Sequence, residues 1–151
     1  MALKQRIKDD MKAALLGGNR FLGDTLRNLN GAILDEEVKQ NKRDEGLEDS
    51  EIEKVIAREV KKRRESATIY RENDRIDLAE VEERETEILQ AYLPEQMSED
   101  ELQKIIDTKI AELGVSDASG MGQVIGAVKS TVGNQADGAT VARLVKQTLT
   151  K

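Results

Sequence analysis

The chain has 151 residues, 36% of them charged, and a net charge of −6; that length suits one domain with a full core or two small ones, and that charge excludes a polycation that would coat nucleic acid over its whole surface. It contains no Cys and no His, which excludes disulfides, thiolate nucleophiles, Ser-His-Asp sets and the commonest zinc ligands. One proline and one phenylalanine in so charged a chain point to long, solvated helices.

Residues 1–16 read as a first helix, with Leu3, Ile7, Met11, Ala14 and Leu15 on one face and Lys4, Lys8 and Lys12 beside it. A core-facing helix is expected, since Asp9 and Asp10 dilute the basic stripe that a membrane-surface helix needs. The stretch is too charged for a signal peptide, and no apolar run approaches the roughly 20 residues of a membrane span. A cytoplasmic location and no membrane partner are expected. Gly17-Gly18-Asn19 ends this helix.

A second helix is predicted from Arg20 to about Asp44, burying Leu22, Leu26, Leu29 and Ile33, with Arg27 partly buried against an acidic partner. Glu45-Gly46 breaks it, and Ser50 with Glu53 makes a capping-box pattern opening a third helix. Ile52, Val55, Ile56, Val60, Ala67 and Tyr70 line the inner face of that helix. Asn73-Asp74 interrupts, and Asp77 with Glu80 starts a fourth helix carrying Leu78, Val81, Ile88, Leu89 and Tyr92 inward. Glu80, Glu83 and Glu87, like Asp35, Glu36 and Glu37, read as solvated acidic faces, and no metal site is expected.

Pro94 cannot continue a helix and biases Leu93 toward extended backbone. The junction between an N-terminal domain, 1–95, and a C-terminal domain, 96–151, is placed there. Ser98 with Glu101 opens a helix carrying Leu102, Ile105, Ile106 and Ile110, which Gly114 ends. Two short helices follow. Met121, Val124, Ile125 and Val128 recur on one, and Val141, Leu144, Val145 and Leu149 on the other. Gly133 and Asn134 suit the left-handed backbone that closes the first of the pair, and Asp137 can cap the second through Ala139 or Thr140. Gly122 and Gly126, one turn apart, are expected to let another backbone come close. No segment alternates with a period of two. The fold class is therefore all-α, with an elongated N-terminal helical domain of four helices and a C-terminal three-helix bundle.

Charge is unevenly spread: residues 96–151 hold 6 basic against 7 acidic side chains, and the preceding 95 residues hold 18 against 23. Arg58, Lys61, Lys62, Arg63 and Arg64 form the densest basic cluster. Two readings are open there: a phosphate-binding patch, or a solvated face paired within the helix to Glu59, Glu65 and Glu72. No catalytic set is legible. There is no base to activate a Ser or Thr, no Gly-x-Ser-x-Gly, and no strand ahead of Gly120-Met121-Gly122 to make a phosphate loop.

The stretch from Met121 to Leu149, together with Thr25-Leu26-Arg27, Lys62-Arg63-Arg64-Glu65-Ser66, Asp77-Leu78-Ala79-Glu80, Leu93-Pro94-Glu95-Gln96 and Ala136-Asp137-Gly138, resembles the GatB/YqeY family. Its C-terminal part is similar to the tail of the B subunit of the bacterial tRNA-dependent amidotransferase, a carbon–nitrogen ligase with glutamine as amido donor. The resemblance extends over nearly the whole chain. It implies a non-catalytic, tRNA-associated module, and any amidotransferase label would come from the resemblance, since the chain holds no glutaminase or ATP-binding residues. In the amidotransferase that tail reaches the tRNA body. The positions here implied to do so are Lys129, Gly133, Asn134, Gln135, Arg143 and Lys146, with backbone N–H groups at Gly138 and Ala139. Relatives usually carry Lys or Arg in the turn where this chain has Gly133-Asn134-Gln135. The alternative is a protein–protein adaptor, whose partner would be a translation or amidotransferase component. Neither reading calls for a cofactor.

Overall fold

The computed structural model describes residues 2–151, which are all-α, with no strand among them. They divide into two compact units, one ending at Leu93 and the other spanning Pro94–Lys151.

The first unit is built from α1 (Ala2–Leu16), α2 (Arg20–Lys39), α3 (Asp49–Glu72) and α4 (Ile76–Gln90). Its core joins Leu3 and Ile7 of α1, Leu26, Leu29 and Ile33 of α2, Ile52, Val55, Ile56 and Val60 of α3, and Leu89 of α4. Each such Leu or Ile contributes about 1.5–3 kcal/mol when fully buried. The apolar periodicity of α2 and α3 therefore places those faces correctly, and that of α1 does so except at Leu15, which is 42% exposed at the end of the helix.

The helix ends differ from expectation in three places, each with a local cause. α2 stops at Lys39, short of Asp44, because Asn41 takes a left-handed backbone (φ 58) and the Lys42 N–H donates to the Glu37 carbonyl at 2.7 Å. The chain then turns Leu47 fully into the core. α3 starts at Asp49 with Glu48 at the cap position, so Ser50 lies inside the first turn and does not cap it. Leu47 precedes that cap and Ile52 is the fourth helical residue; both are buried in one core, a hydrophobic staple that fixes the entry point two residues before the polar pattern would. α4 begins at Ile76, with Arg75 at the cap position after the left-handed Asp74, which leaves Asp77 within its first turn.

Three side-chain expectations also change. Val81 is exposed, because the buried face of α4 runs through Ala79, Thr86 and Leu89. Arg27 is exposed, paired at 3.0 Å with Asp24 on its own helix. Glu37 is not on a solvated face: it is fully buried, and both carboxylate oxygens accept from Lys4 Nζ at 2.7 Å. Tyr92 is half-buried, donates its hydroxyl proton to Asp10 at 2.5 Å and carries Arg6 over its ring at 4.8 Å.

The second unit contains α5 (Glu99–Leu113), α6 (Met121–Val132) and α7 (Gly138–Leu149). Its core is Leu102, Ile106, Val124, Val128, Val132, Val141, Leu144 and Val145. Here the polar pattern and the apolar anchor agree. Ser98 Oγ accepts from the Glu101 N–H at 3.2 Å while the Glu101 carboxylate accepts from the Ser98 N–H, and Met97 packs on the core that holds Leu102. Gly114 closes α5 with φ 66, and Asp137 caps α7 by accepting from the Thr140 N–H at 3.3 Å. Gly133 ends α6 with φ 55; Asn134 keeps negative φ inside a short 3-10 turn, Gly133–Gln135.

Gly122 and Gly126 do not mediate close packing, since a Cβ on either would meet nothing within 4 Å. Gly120 does: a Cβ there would come 2.4 Å from Val115. Gly126→Ala is therefore expected to stabilise α6 by about 0.5–1 kcal/mol through helix propensity alone. Chemical denaturation of the full chain checks this, and a loss of stability would mean that the face is covered.

Candidate functional site

The Arg58–Arg64 stretch occupies two turns of α3, and most of its charge is used inside the molecule. Arg58 Nη2 donates to Glu36 Oε2 at 2.9 Å. The Gln40 amide first, and Arg58 next, hold the Glu36 carboxyl below its ordinary range. Lys62 Nζ lies 3.1 Å from Glu59. Arg63 is only 12% exposed: its Nε donates to Glu85 of α4 at 2.9 Å and its Nη1 to the Glu59 carbonyl at 3.1 Å. Arg63 is thus a clamp between α3 and α4. Lys61 and Arg64 are exposed and form no side-chain ion pair among the described residues.

Glu82 faces the same clamp. Burial, and then Glu85, push its carboxyl above the ordinary range, with Arg63 opposing. A carboxyl raised in the folded state binds its proton more tightly there than in the unfolded chain. Stability therefore falls as pH rises from the ordinary glutamate pKa through the raised one, and the penalty is complete above it. Glu82→Gln is expected to raise Tm at about pH 7, with the gain vanishing near about pH 4, where both forms are neutral. An equal shift in Tm at both pH values would contradict the assignment.

In the second unit, the turn between α6 and α7 is held by main-chain atoms. The Gln96 side-chain amide donates to the Asn134 carbonyl at 3.0 Å, and the Met97 N–H donates to the Gln135 carbonyl at 2.8 Å. Pro94 keeps this approach segment out of a helix, so the Met97 N–H is available for that clasp. The Asn134 and Gln135 carbonyls are thus engaged within the unit, and the Gln135 side chain stays exposed. The proline signal foretold the break in the helix; the pairing of 96–97 with 134–135 was not legible in it.

The three helices of this unit divide charge sharply. α5 carries Glu99, Asp100, Glu101, Asp107 and Glu112 against Lys104 and Lys109, whereas α6 and α7 carry Lys129, Arg143 and Lys146 and no acid. Arg143 pairs with Glu99. Lys146 is exposed in the last turn of α7 without an ion pair among the described residues, and Lys129 reaches over the start of α7, its Nζ 3.4 Å from where a Cβ on Gly138 would stand. Asp137 already occupies the Thr140 N–H at that helix start. This leaves the cations themselves as the stronger anion handle there.

Among the described residues no group of three or more metal-capable side chains comes together, and no helix is long and apolar enough to cross a membrane.

A family model described as "Yqey-like protein" matches residues 4–149 of the chain. The chain is also 31% identical, over 121 residues, to "Altered inheritance of mitochondria protein 41, mitochondrial" of Clavispora lusitaniae, an alignment covering 78% of this chain and 68% of that protein.

Proposed function

The chain belongs to the Yqey-like protein family, and from that premise we propose that it is a non-catalytic module that associates with tRNA through its C-terminal helix pair, as the resemblance to the amidotransferase B-subunit tail implies. The observation that carries this reading is the segregation of charge in Pro94–Lys151. The acids gather on α5, and α6 and α7 present cations alone. Lys129 and Lys146 are the principal contacts, with Arg143 once it leaves Glu99, and Lys61 and Arg64 are a second pair. Arg58, Lys62 and Arg63 would have to leave carboxylates they already hold.

Contact is with phosphates and with the shape of the folded RNA. The aromatic side chains are few and in part engaged, with Arg84 covering the Phe21 ring at 4.1 Å and Arg6 covering Tyr92. The isolated chain is expected to give no glutamine- and ATP-dependent product. A chain without cysteine suits a reducing compartment such as the cytoplasm.

The first test is purification at low salt. Bound tRNA raises the 260/280 absorbance ratio, which is easily read against a protein with two tyrosines and no tryptophan. Salt strips the RNA because the contacts release counterions. Protein that is free of RNA at low salt, and that binds none when tRNA is added back, overturns the proposal.

A further inference from the structure

The end of α1 carries two exposed leucines, and the first of them lines a concavity together with two arginines. Leu16 ends α1 at 90% exposure, and Leu15 before it is 42% exposed. Leu15 is pinned there: it lies across α2 at Gly23, where a Cβ would come 2.5 Å from its Cδ2. The following Gly18, with φ 80, turns the chain back into α2. Between them opens a concavity of about 380 Å³ lined by Leu15, Gly18, Arg20, Asp24 and Arg27. A cavity of that size takes one or two side chains, not a folded surface.

The charge on this corner runs against the unit around it. Arg20 and Arg27 share a single carboxylate, Asp24, at 3.9 and 3.0 Å, and their side chains are 90% and 65% exposed. The surrounding 95 residues hold more acid than base. An exposed leucine beside two under-neutralised guanidinium groups, with a second exposed leucine next to it in the chain, is complementary to an apolar side chain flanked by carboxylates. A nucleic-acid backbone would meet Asp24 and leave Leu15 and Leu16 uncovered, so a peptide fits both halves of the surface better.

We propose that the α1–α2 corner is a docking site for a short acidic segment of a partner protein, with an apolar side chain seated on Leu15 and Leu16 and carboxylates held by Arg20 and Arg27. The surface belongs to the first unit, and it stands or falls apart from tRNA association. Its small size gives weak, fast-exchanging binding that depends on salt.

The test uses full-length protein and a fluorescein-labelled pool of 12-residue peptides, with Leu at two positions three or four apart and Asp or Glu elsewhere, read by fluorescence anisotropy. A matched pool with Lys in place of the acids is the control. The acidic pool is expected to bind at least tenfold better than the Lys pool. Arg20→Glu/Arg27→Glu should weaken it at least tenfold, Leu16→Ser should weaken it several-fold, and added tRNA should not displace it. All three positions are exposed, so circular dichroism and Tm should match wild type and exclude misfolding. Equal binding of the two pools, or undiminished binding by the double variant, overturns the proposal. Displacement of the peptides by tRNA, with loss of tRNA binding in Arg20→Glu/Arg27→Glu, would reassign the corner to nucleic acid. Self-association of the free protein that is lost in Leu16→Ser would reassign it to a second copy of this chain.

Discussion

Lys4→Met is expected to destabilise the protein by about 3 kcal/mol, lowering Tm on the order of 10–20 °C, because it leaves a fully buried carboxylate without its cation. Glu37 has no exposed surface, and Lys4 Nζ sits 2.7 Å from both of its oxygens. The Lys4 side chain retains 23% exposure, so water reaches one end of the pair, and the cost belongs at the lower end of the 3–5 kcal/mol range for broken buried pairs. Lys4→Met/Glu37→Leu removes both charges from a site flanked by Leu3, Ile7 and Ile33, and should return stability to within about 1 kcal/mol of wild type. Urea denaturation of the two variants checks both halves. A single variant within about 1 kcal/mol of wild type would mean that Glu37 finds water or a second donor.

Ile106→Ala is expected to unfold Pro94–Lys151 while leaving the first unit folded. Ile106 is fully buried in a core of eight residues, and truncating such a residue costs about 2–5 kcal/mol. A bundle this small rarely holds more than about 3–5 kcal/mol of net stability, so one cavity removes most of it. Amide hydrogen exchange resolves the outcome. Protection in α5, α6 and α7 should collapse, while Leu26, Leu29, Ile52 and Ile56 keep theirs. Equal loss across both units would show that the chain folds as one cooperative block, and the boundary at Pro94 would then carry no thermodynamic meaning.

Much of this architecture was legible because apolar side chains recur at helical spacing, as in Ile52, Val55, Ile56 and Val60. What escaped was polar chemistry on those same faces. Glu37 lies four residues beyond Ile33, in register with the buried stripe of α2, and Lys4 lies between Leu3 and Ile7. A charged residue at a stripe position with an opposite charge at another was the available signal for the buried pair. Glu82, three residues after Ala79 and four before Thr86, gave the same signal on α4. The identical Ser-x-x-Glu pattern formed a cap at Ser98 and none at Ser50. Composition could not separate the two, since the deciding contacts are Met97 with the core around Leu102, and Leu47 with the core around Ile52. The basic cluster of α3 was legible as charge but not as pairing, because the partners Glu36 and Glu85 each lie 22 residues away in the chain from the arginines they hold.

Association of α6 and α7 with tRNA is read out by fluorescence anisotropy of labelled total tRNA at low and moderate salt. Wild-type protein is compared with Lys129→Glu/Lys146→Glu, and with Lys62→Glu/Arg63→Glu as the contrasting pair. Wild-type binding is expected to be micromolar, to weaken as salt rises and to fall at least tenfold in Lys129→Glu/Lys146→Glu. Lys62→Glu/Arg63→Glu should lose stability at the α3–α4 clamp while the tail, if still folded, keeps its affinity. Absence of binding by wild-type protein at low salt, or undiminished binding by Lys129→Glu/Lys146→Glu, would contradict that association.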